Sequence, residues 1–168
     1  MNWIKKWLFD RAKSTYAQLV LHISKKTIGV LVDHSAVEFI EPLRHYFRKK
    51  GVEAENLVFL VFLDQKPLSE ENYLFYHSKE IKWSGYALND NIKSFLGFDY
   101  TRVYYLCTSF DPHQNLILSH CSAAFKTGTY KAGIEPYLDL TIDDEPCDAL
   151  KQVQLIDNWI DKLSTHGK

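Results

Sequence analysis

The sequence predicts an α/β protein, built as a three-layer αβα sandwich around an open, mostly parallel sheet of about five to six strands. Near-continuous apolar runs occur at residues 27–33, 57–63 and 102–108, and such runs are typical of strands that helices cover on both faces. Patterns of helical period separate the runs. Because crossovers between parallel strands are almost always right-handed, the predicted arrangement is Rossmann-like.

Length and composition indicate one globular domain. The chain has 168 residues, of which 46% are hydrophobic, and its formal net charge is −1. We assign residues 25–168 to a single Rossmann-like domain and residues 1–24 to an amphipathic helix that precedes it. The neutral balance of charge gives no general attraction to nucleic acid, so we predict no nucleic-acid partner.

The cysteines and the first residues suggest a compartment. Cys107, Cys121 and Cys147 are too few and too scattered for a disulfide framework, which fits a reducing environment. Charged residues interrupt positions 1–20, so these positions do not form the apolar segment of a signal peptide. We therefore expect a cytoplasmic protein.

Residues 2–20 predict an amphipathic helix with tryptophans beside its apolar stripe. Trp3 and Trp7 are neighbours on such a helix, and a protein rarely leaves two adjacent tryptophans in water. We expect them to contact a partner protein, most simply a second copy of the chain. Packing of the helix on its own domain is one alternative. A membrane surface is another, because tryptophan with lysine and arginine also marks interfacial helices, and we rank it below a partner protein.

The first predicted βα unit is a buried strand at 27–33 followed by a helix at 35–50. Ser35 and Glu38 have the spacing of a capping box, in which each side chain accepts from the other residue's free backbone N–H. This pair therefore predicts that the helix begins at Ser35.

Pro42 lies inside this helical pattern. It would either kink the helix or, if regular helix begins near Glu41, occupy the first turn without cost. Gly51 predicts the end of the helix, and Val52 can supply the apolar contact of a Schellman-type cap.

The middle of the chain alternates apolar strands with polar connections. After the strand at 57–63, residues 73–76 predict a short strand or an anchored loop, and residues 80–83 predict a third short strand. Asn89 then predicts the cap of a short helix.

The remaining elements have clear start signals, because Asp111 can cap a helix that Pro112 opens. Strict alternation at 137–142 indicates a strand with one exposed face, at an edge of the sheet. In order, the chain predicts a strand at 102–108, a helix from Pro112, a strand at 123–127 ended by Gly128, the strand at 137–142, and a helix from Pro146 to about Leu163.

Polar residues follow two of the predicted strands and indicate a binding crevice. In open α/β sheets, ligands bind at the carboxyl ends of strands, where the strand order reverses. Both groups lead into helix N-termini, which favour a small anionic ligand, although capping alone would explain Ser35 and Asp111. The candidate residues are Asp33, His34 and Ser35 after the first strand, and Thr108, Ser109 and Asp111 after the fourth.

Familiar phosphate and metal motifs are absent. The run Gly128–Gly133 lacks the Gly-Lys-Ser/Thr end and the following helix of a phosphate loop, and no G-x-G-x-x-G occurs, so we predict no cofactor. Lys126 and Thr127 remain candidate anion contacts at a strand end. The histidines and cysteines form no close ligand pair, so we predict no metal.

Several segments resemble a known family. The I-G-V-L-V-D strand, the helix with its internal proline and the D-x-x-x-V-Y-Y-L strand at 99–106 resemble a family of short, uncharacterised bacterial proteins, a domain of unknown function. Residues 119–128 resemble its small-residue segment ending in F-K-x-G. The resemblance covers about 27–142 and implies this fold, a bacterial cytoplasm and no known activity.

The chain also resembles, more loosely, the N-terminal half of lipopolysaccharide heptosyltransferases, through its order of elements and the segment 125–130. Those enzymes need a second Rossmann-like domain for the sugar nucleotide, which 168 residues cannot hold as well. Their catalytic function therefore does not carry over.

These observations favour a binding or protein-interaction module. The alternative is an enzyme that acts on a small phosphorylated or sugar-like ligand at the carboxyl ends of strands 27–33 and 103–108.

Overall fold

The computed structural model describes residues 26–67, 69–80, 89–143 and 148–165, and six of its strands form one sheet. The strands are β1 (Ile28–Asp33), β2 (Leu57–Leu63), β3 (Leu74–His77), β4 (Arg102–Tyr105), β5 (Lys126–Thr129) and β6 (Leu140–Ile142). The α-helices are α1 (Ile40–Lys49), α2 (Asp90–Leu96), α3 (Pro112–His120) and α4 (Ala149–Thr165). Short 3₁₀ segments connect several of them.

Every strand pair in the sheet is parallel, in the order β3-β2-β1-β4-β5-β6. Strand β1 lies in the middle, with Ile28 opposite both Leu57 of β2 and Arg102 of β4. All six residues of β1 are buried. The predicted Rossmann-like fold with a central first strand is therefore confirmed.

Helices cover both faces of the sheet and make two apolar cores. Helices α1 and α4 pack on one face, and α2 and α3 pack on the other. Residues of β1 alternate between the two cores, with Val30 and Val32 in the first and Leu31 in the second. This two-sided burial explains why the strand sequences are continuously apolar.

The connection from β1 to α1 differs from the predicted capping box. A 3₁₀ turn covers His34–Phe39, and regular helix begins at Ile40 with Pro42 in its first turn. The Ser35–Glu38 box is wrong, because the Asp33 side chain accepts the Ser35 backbone N–H instead. Of the two alternatives for the proline, the unstrained position in the first turn is the observed one.

Helix α1 ends as predicted, in a Schellman cap. Gly51 has a φ of 81°, in the left-handed region that favours glycine. The Val52 N–H donates to the Phe47 carbonyl at 3.0 Å, and both side chains are buried.

The third strand lies earlier than the predicted strand at 80–83. Strand β3 covers Leu74–His77, and Ser78–Glu80 is a 3₁₀ turn, so a strand beginning at Glu80 is wrong. The short strand that the sequence allowed at 73–76 is the one that forms. Asn89 caps α2 as predicted, with its side chain accepting from the Ile92 N–H at 2.8 Å.

Strand β5 lies later than the predicted strand at 123–127. Gly128 is inside β5 and does not end it. A glycine is needed at this position because the backbone of β4 approaches closely and leaves no room for a side chain. Strand β6 is an edge strand as predicted, but it is limited to Leu140–Ile142 because Glu135–Tyr137 forms a 3₁₀ turn.

Some predictions concern residues outside the described ranges. These are the helix at 2–20 with Trp3 and Trp7, residues 81–83 of the predicted third strand, and the start of the last helix at Pro146.

A buried carboxylate ties α4 to the sheet. Asp157 accepts hydrogen bonds from the Tyr104 hydroxyl at 2.5 Å, the Tyr46 hydroxyl at 2.8 Å and the Arg102 guanidinium at 3.0 Å. Lys50 Nζ lies 3.5 Å from the same carboxylate. This network joins α4, α1 and the amino end of β4, on the side of the molecule away from the predicted crevice.

Candidate functional site

Asp33 lies where the strand order reverses, at the carboxyl end of β1 between β2 and β4. Its Oδ2 accepts from the Thr108 backbone N–H at 2.6 Å and from the Thr108 hydroxyl at 2.5 Å. Its Oδ1 accepts from the Ser35 N–H at 3.1 Å and the Ser35 hydroxyl at 2.5 Å. The side chain thus ties the two halves of the crevice together.

The surroundings of Asp33 favour its charged form. The residue is only 4% exposed, and burial alone would raise its pKa. The hydrogen bonds from Ser35 and Thr108 outweigh burial and hold the pKa of this carboxyl below its ordinary value. The carboxylate is therefore ionised and fully hydrogen-bonded at neutral pH.

The structure brings the other predicted crevice residues to the same edge. Ser35, Thr108 and Ser109 are exposed. His34 is also exposed and pairs with Asp64, which follows β2, with Nδ1 3.4 Å from Oδ2. The predicted grouping of residues after β1 and β4 is thus present as a geometric arrangement.

Asp111 lies at the N-cap of α3, with Pro112 in the first turn, as predicted. Its carboxylate accepts from the Ser109 hydroxyl at 3.1 Å. Asp33 occupies the corresponding place before the 3₁₀ turn. Two carboxylates therefore stand at the two N-termini where an anion was expected, and an anionic ligand there stays a prediction.

Lys126 and Thr127 lie away from this edge. Lys126 is the first residue of β5 and lies opposite Val103, near the start of β4. Its ammonium donates to the Leu118 carbonyl at 2.6 Å, and Thr127 is fully buried in the sheet. The premise that Thr127 ends a strand is wrong, so these two residues do not join the crevice.

Sequence reasoning missed a buried polar cluster beside the crevice. Gln114 is fully buried, and its Oε1 accepts from the Asp111 N–H at 2.9 Å and the Tyr105 hydroxyl at 2.7 Å. The Tyr105 hydroxyl also contacts the Ser109 carbonyl. Tyr76 and His113 lie nearby, with ring centroids 5.6 Å apart.

Weak signals for this cluster exist in the sequence. Gln114 is three residues after an Asp-Pro helix start, which is the position of a reciprocal cap. Tyr76 and Tyr105 are in apolar strand segments, where a tyrosine hydroxyl needs a buried partner.

Burial shifts the pKa values of Cys107, Cys121 and His113. It raises the pKa of Cys107 well above its ordinary value and that of Cys121 to about 11, so both are thiols at neutral pH. Burial lowers the pKa of His113, which is therefore mainly neutral there. Neither cysteine is in a disulfide.

Within the described ranges, no group of three or more histidine, cysteine, aspartate or glutamate side chains converges as a metal site would require. In the same part of the chain, no helix combines the length and apolar character needed to cross a membrane.

Comparison with known proteins yields one match. No curated protein and no solved structure matches the chain, so the heptosyltransferase likeness stays a prediction. A family model described as "Family of unknown function (DUF6913)" matches residues 2–162, which confirms the predicted resemblance to a family of unknown function. The chain therefore belongs to the DUF6913 family.

Proposed function

We propose that the chain is a small binding or interaction module, whose ligand site is the crevice at the carboxyl ends of β1 and β4. The observation that supports this proposal is the state of Asp33. A general base must be free to take a proton from a substrate, whereas this carboxylate is buried and already accepts four hydrogen bonds. Asp33 fits a structural tie better than a catalytic base.

The two cysteines in the described part of the chain support the same proposal. A nucleophilic cysteine needs a lowered pKa so that its thiolate is populated. Cys107 and Cys121 have raised pKa values, because both are buried. Two buried free thiols also support the proposed reducing, cytoplasmic location.

The second candidate is an enzyme that acts on a small phosphorylated or sugar-like ligand at the same crevice. Its support is the half-buried, neutral His113 beside polar atoms that have no hydrogen-bond partner among the described residues, since such groups can move a proton or orient a substrate.

A ligand screen with recovery of the compounds separates the two candidates. We expect a compound to raise the melting temperature saturably, since a ligand at 100 times its Kd adds about 2.7 kcal/mol to stability. Inorganic phosphate, a sugar phosphate and a neutral sugar form the panel. Recovery of the bound compound unchanged, by NMR, supports the module, whereas its conversion would support the enzyme.

We also propose that Trp3 and Trp7 contact a partner, most simply a second copy of the chain. Burial of a large apolar side chain is worth about 1.5–3 kcal/mol. Replacement of both tryptophans with glutamate should convert a dimer to a monomer in light scattering, with unchanged far-UV circular dichroism. A monomeric wild type that binds anionic vesicles would instead support the membrane alternative.

A further inference from the structure

Three side chains at the carboxyl edge of the sheet carry buried polar atoms without hydrogen-bond partners among the described residues. These atoms are Tyr76 Oη, His113 Nε2 and Gln114 Nε2, and we call the three residues the edge cluster. Tyr76 and Gln114 are fully buried. Because an unpaired buried polar group is unfavourable, three together at one edge of a fold require an explanation.

The edge cluster is a local structure. Tyr76 is the penultimate residue of β3, and His113 and Gln114 are in the first turn of α3. The Phe62 ring contacts both other rings, with centroids 5.2 Å from Tyr76 and 4.7 Å from His113. Three rings therefore form an apolar wall beside the polar atoms.

The orientation of the Gln114 amide is fixed by its neighbours. The Asp111 N–H can donate only to the amide oxygen, so the Gln114 NH₂ group must point away from it. The Tyr105 hydroxyl adds a second contact to the same oxygen. Two N–H donors of Gln114 are thus directed away from the cap and lack an acceptor among the described residues.

Asp111 places a carboxylate beside the edge cluster, because it is the N-cap of α3 and its backbone N–H donates to Gln114. Burial is the main cause that raises the pKa of Tyr76 well above its ordinary value, and the carboxylates of Asp111 and Asp33 act in the same direction. A negatively charged ligand would be repelled by the two carboxylates, whereas a neutral molecule would not.

We propose that the edge cluster is the recognition site for a small uncharged molecule that carries hydroxyl or amide groups. Such a molecule offers an acceptor to the Gln114 NH₂ group and both acceptors and donors to Tyr76 and His113. Its carbon skeleton packs on the three rings, as in most ligand sites, where a few polar groups stand among apolar walls. This inference rests on the proposed binding function and names its ligand class.

Stability without any ligand gives the first test. Tyr76→Phe removes a hydroxyl without a partner among the described residues, so we expect an equal or higher melting temperature. Tyr105→Phe is the matched control, because it removes a hydroxyl that contacts Gln114 and Ser109. We expect it to lower the melting temperature by about 2–4 °C. An equal loss in both variants would mean that the fold already satisfies Tyr76, and the inference would be wrong.

Binding gives the second test, with myo-inositol as the hydroxyl probe, acetamide as the amide probe and inorganic phosphate as the charged comparison. In wild type we expect one neutral probe to shift the NMR signals of the His113 imidazole and the Gln114 NH₂ group, and phosphate to leave them unchanged. Tyr76→Phe should weaken that probe about fivefold. The probe that acts identifies the class.

The outcomes separate this inference from the proposed function. If neither neutral probe shifts the signals, or if phosphate shifts them instead, the inference falls. If a compound from the ligand screen stabilises wild type and Tyr76→Phe equally, the module binds elsewhere, and only the site is wrong. Conversion of a probe would contradict the proposed function itself.

Discussion

Asp33 makes the stability of the protein depend on pH at the level of a single residue. Its pKa is lower in the folded state than in the unfolded chain, because the hydrogen bonds from Ser35 and Thr108 outweigh burial. The stabilisation is therefore complete above the unfolded pKa of about 3.9 and is lost as pH falls through the folded value. We expect Asp33→Asn to lower the free energy of unfolding by about 1.5–3 kcal/mol at pH 7.

Urea denaturation at pH 7 and below pH 4 measures this effect. The gap between wild type and Asp33→Asn should shrink in acid, since wild type then loses the same charge. Asp64→Asn is the matched control, because Asp64 follows the neighbouring strand but is exposed. We expect it to change stability by less than about 0.5 kcal/mol. A pH-independent gap would contradict the role of the Asp33 charge.

Gly128 is required by close approach of two strands. A Cβ atom at this position would lie 2.2 Å from the Tyr105 carbonyl oxygen and 2.9 Å from the Tyr105 Cβ. Because these are backbone or near-backbone atoms, the sheet must deform, and we expect Gly128→Ala to lower the free energy of unfolding by about 3 kcal/mol or more.

Gly97→Ala provides the comparison for this prediction. Its added Cβ would lie 3.4 Å from the Lys93 and Ser94 carbonyl oxygens, which is near ordinary contact. Thermal and urea unfolding of both variants should show a much smaller loss for Gly97→Ala. Equal losses would mean that β4 and β5 can separate at little cost.

Residue roles were predictable from sequence only where the cause is local. The caps at Asn89 and Gly51 follow from bonds within a few residues, and they are observed. Asp33 was identified as a crevice residue, but its bond to Thr108 joins residues 75 positions apart. The prediction that Gly128 ends a strand is wrong for the same reason, because the Tyr105 carbonyl that excludes a side chain at Gly128 comes from another strand.

At the scale of elements, α4 is held by more than its apolar face. Asp157 on this helix is 5% exposed and accepts from two tyrosines and an arginine. Removal of one partner from a buried charged network leaves the others uncompensated. We expect Asp157→Ala to lower the free energy of unfolding by about 3 kcal/mol.

Asn158→Ala on the same helix is the control, since Asn158 is exposed and its replacement should change little. Hydrogen exchange gives a second measurement, because loss of the network should release protection in α4 before it does so in β1. Unchanged exchange in α4 would show that its apolar contacts alone hold it in place.

Strands with long continuous apolar runs were predictable from the sequence, and short strands were not. Strands β1 and β2 were predicted to within one residue, because both are buried on two faces and read as continuous apolar runs. Strands β3, β5 and β6 have only three or four residues each, so turn chemistry outweighs periodicity in them. The edge cluster was missed because its three residues come from β3 and α3, which are far apart in the sequence.

At the scale of the whole molecule, the sheet extends outward from β1, to β2 and β3 on one side and to β4, β5 and β6 on the other. Strand β1 pairs with β2 on one side and with β4 on the other, and this arrangement creates the crevice at the carboxyl end of β1. The position of the crevice therefore follows from the topology, whereas the identity of its ligand depends on the side chains that line it.

The all-parallel sheet also determines how the chain must fold. A parallel pair cannot form through a tight hairpin, so each pairing must first close a crossover loop and lose its entropy. Strands β1 and β2 are separated by one helix and short turns, whereas β4 joins β1 only after β3 and α2. We therefore expect the β1–β2 unit to form in the folding transition state and β4 to dock later.

Two matched core substitutions measure this order of events. Val61 in β2 and Val103 in β4 are both fully buried, so truncation of each to alanine removes the same atoms. We expect Val61→Ala mainly to slow refolding and Val103→Ala mainly to accelerate unfolding in stopped-flow experiments. The reverse pattern would place the nucleus around β4.

In either case refolding should be slow for a domain of this size, and nascent chains would expose unpaired strand edges until the last crossover closes.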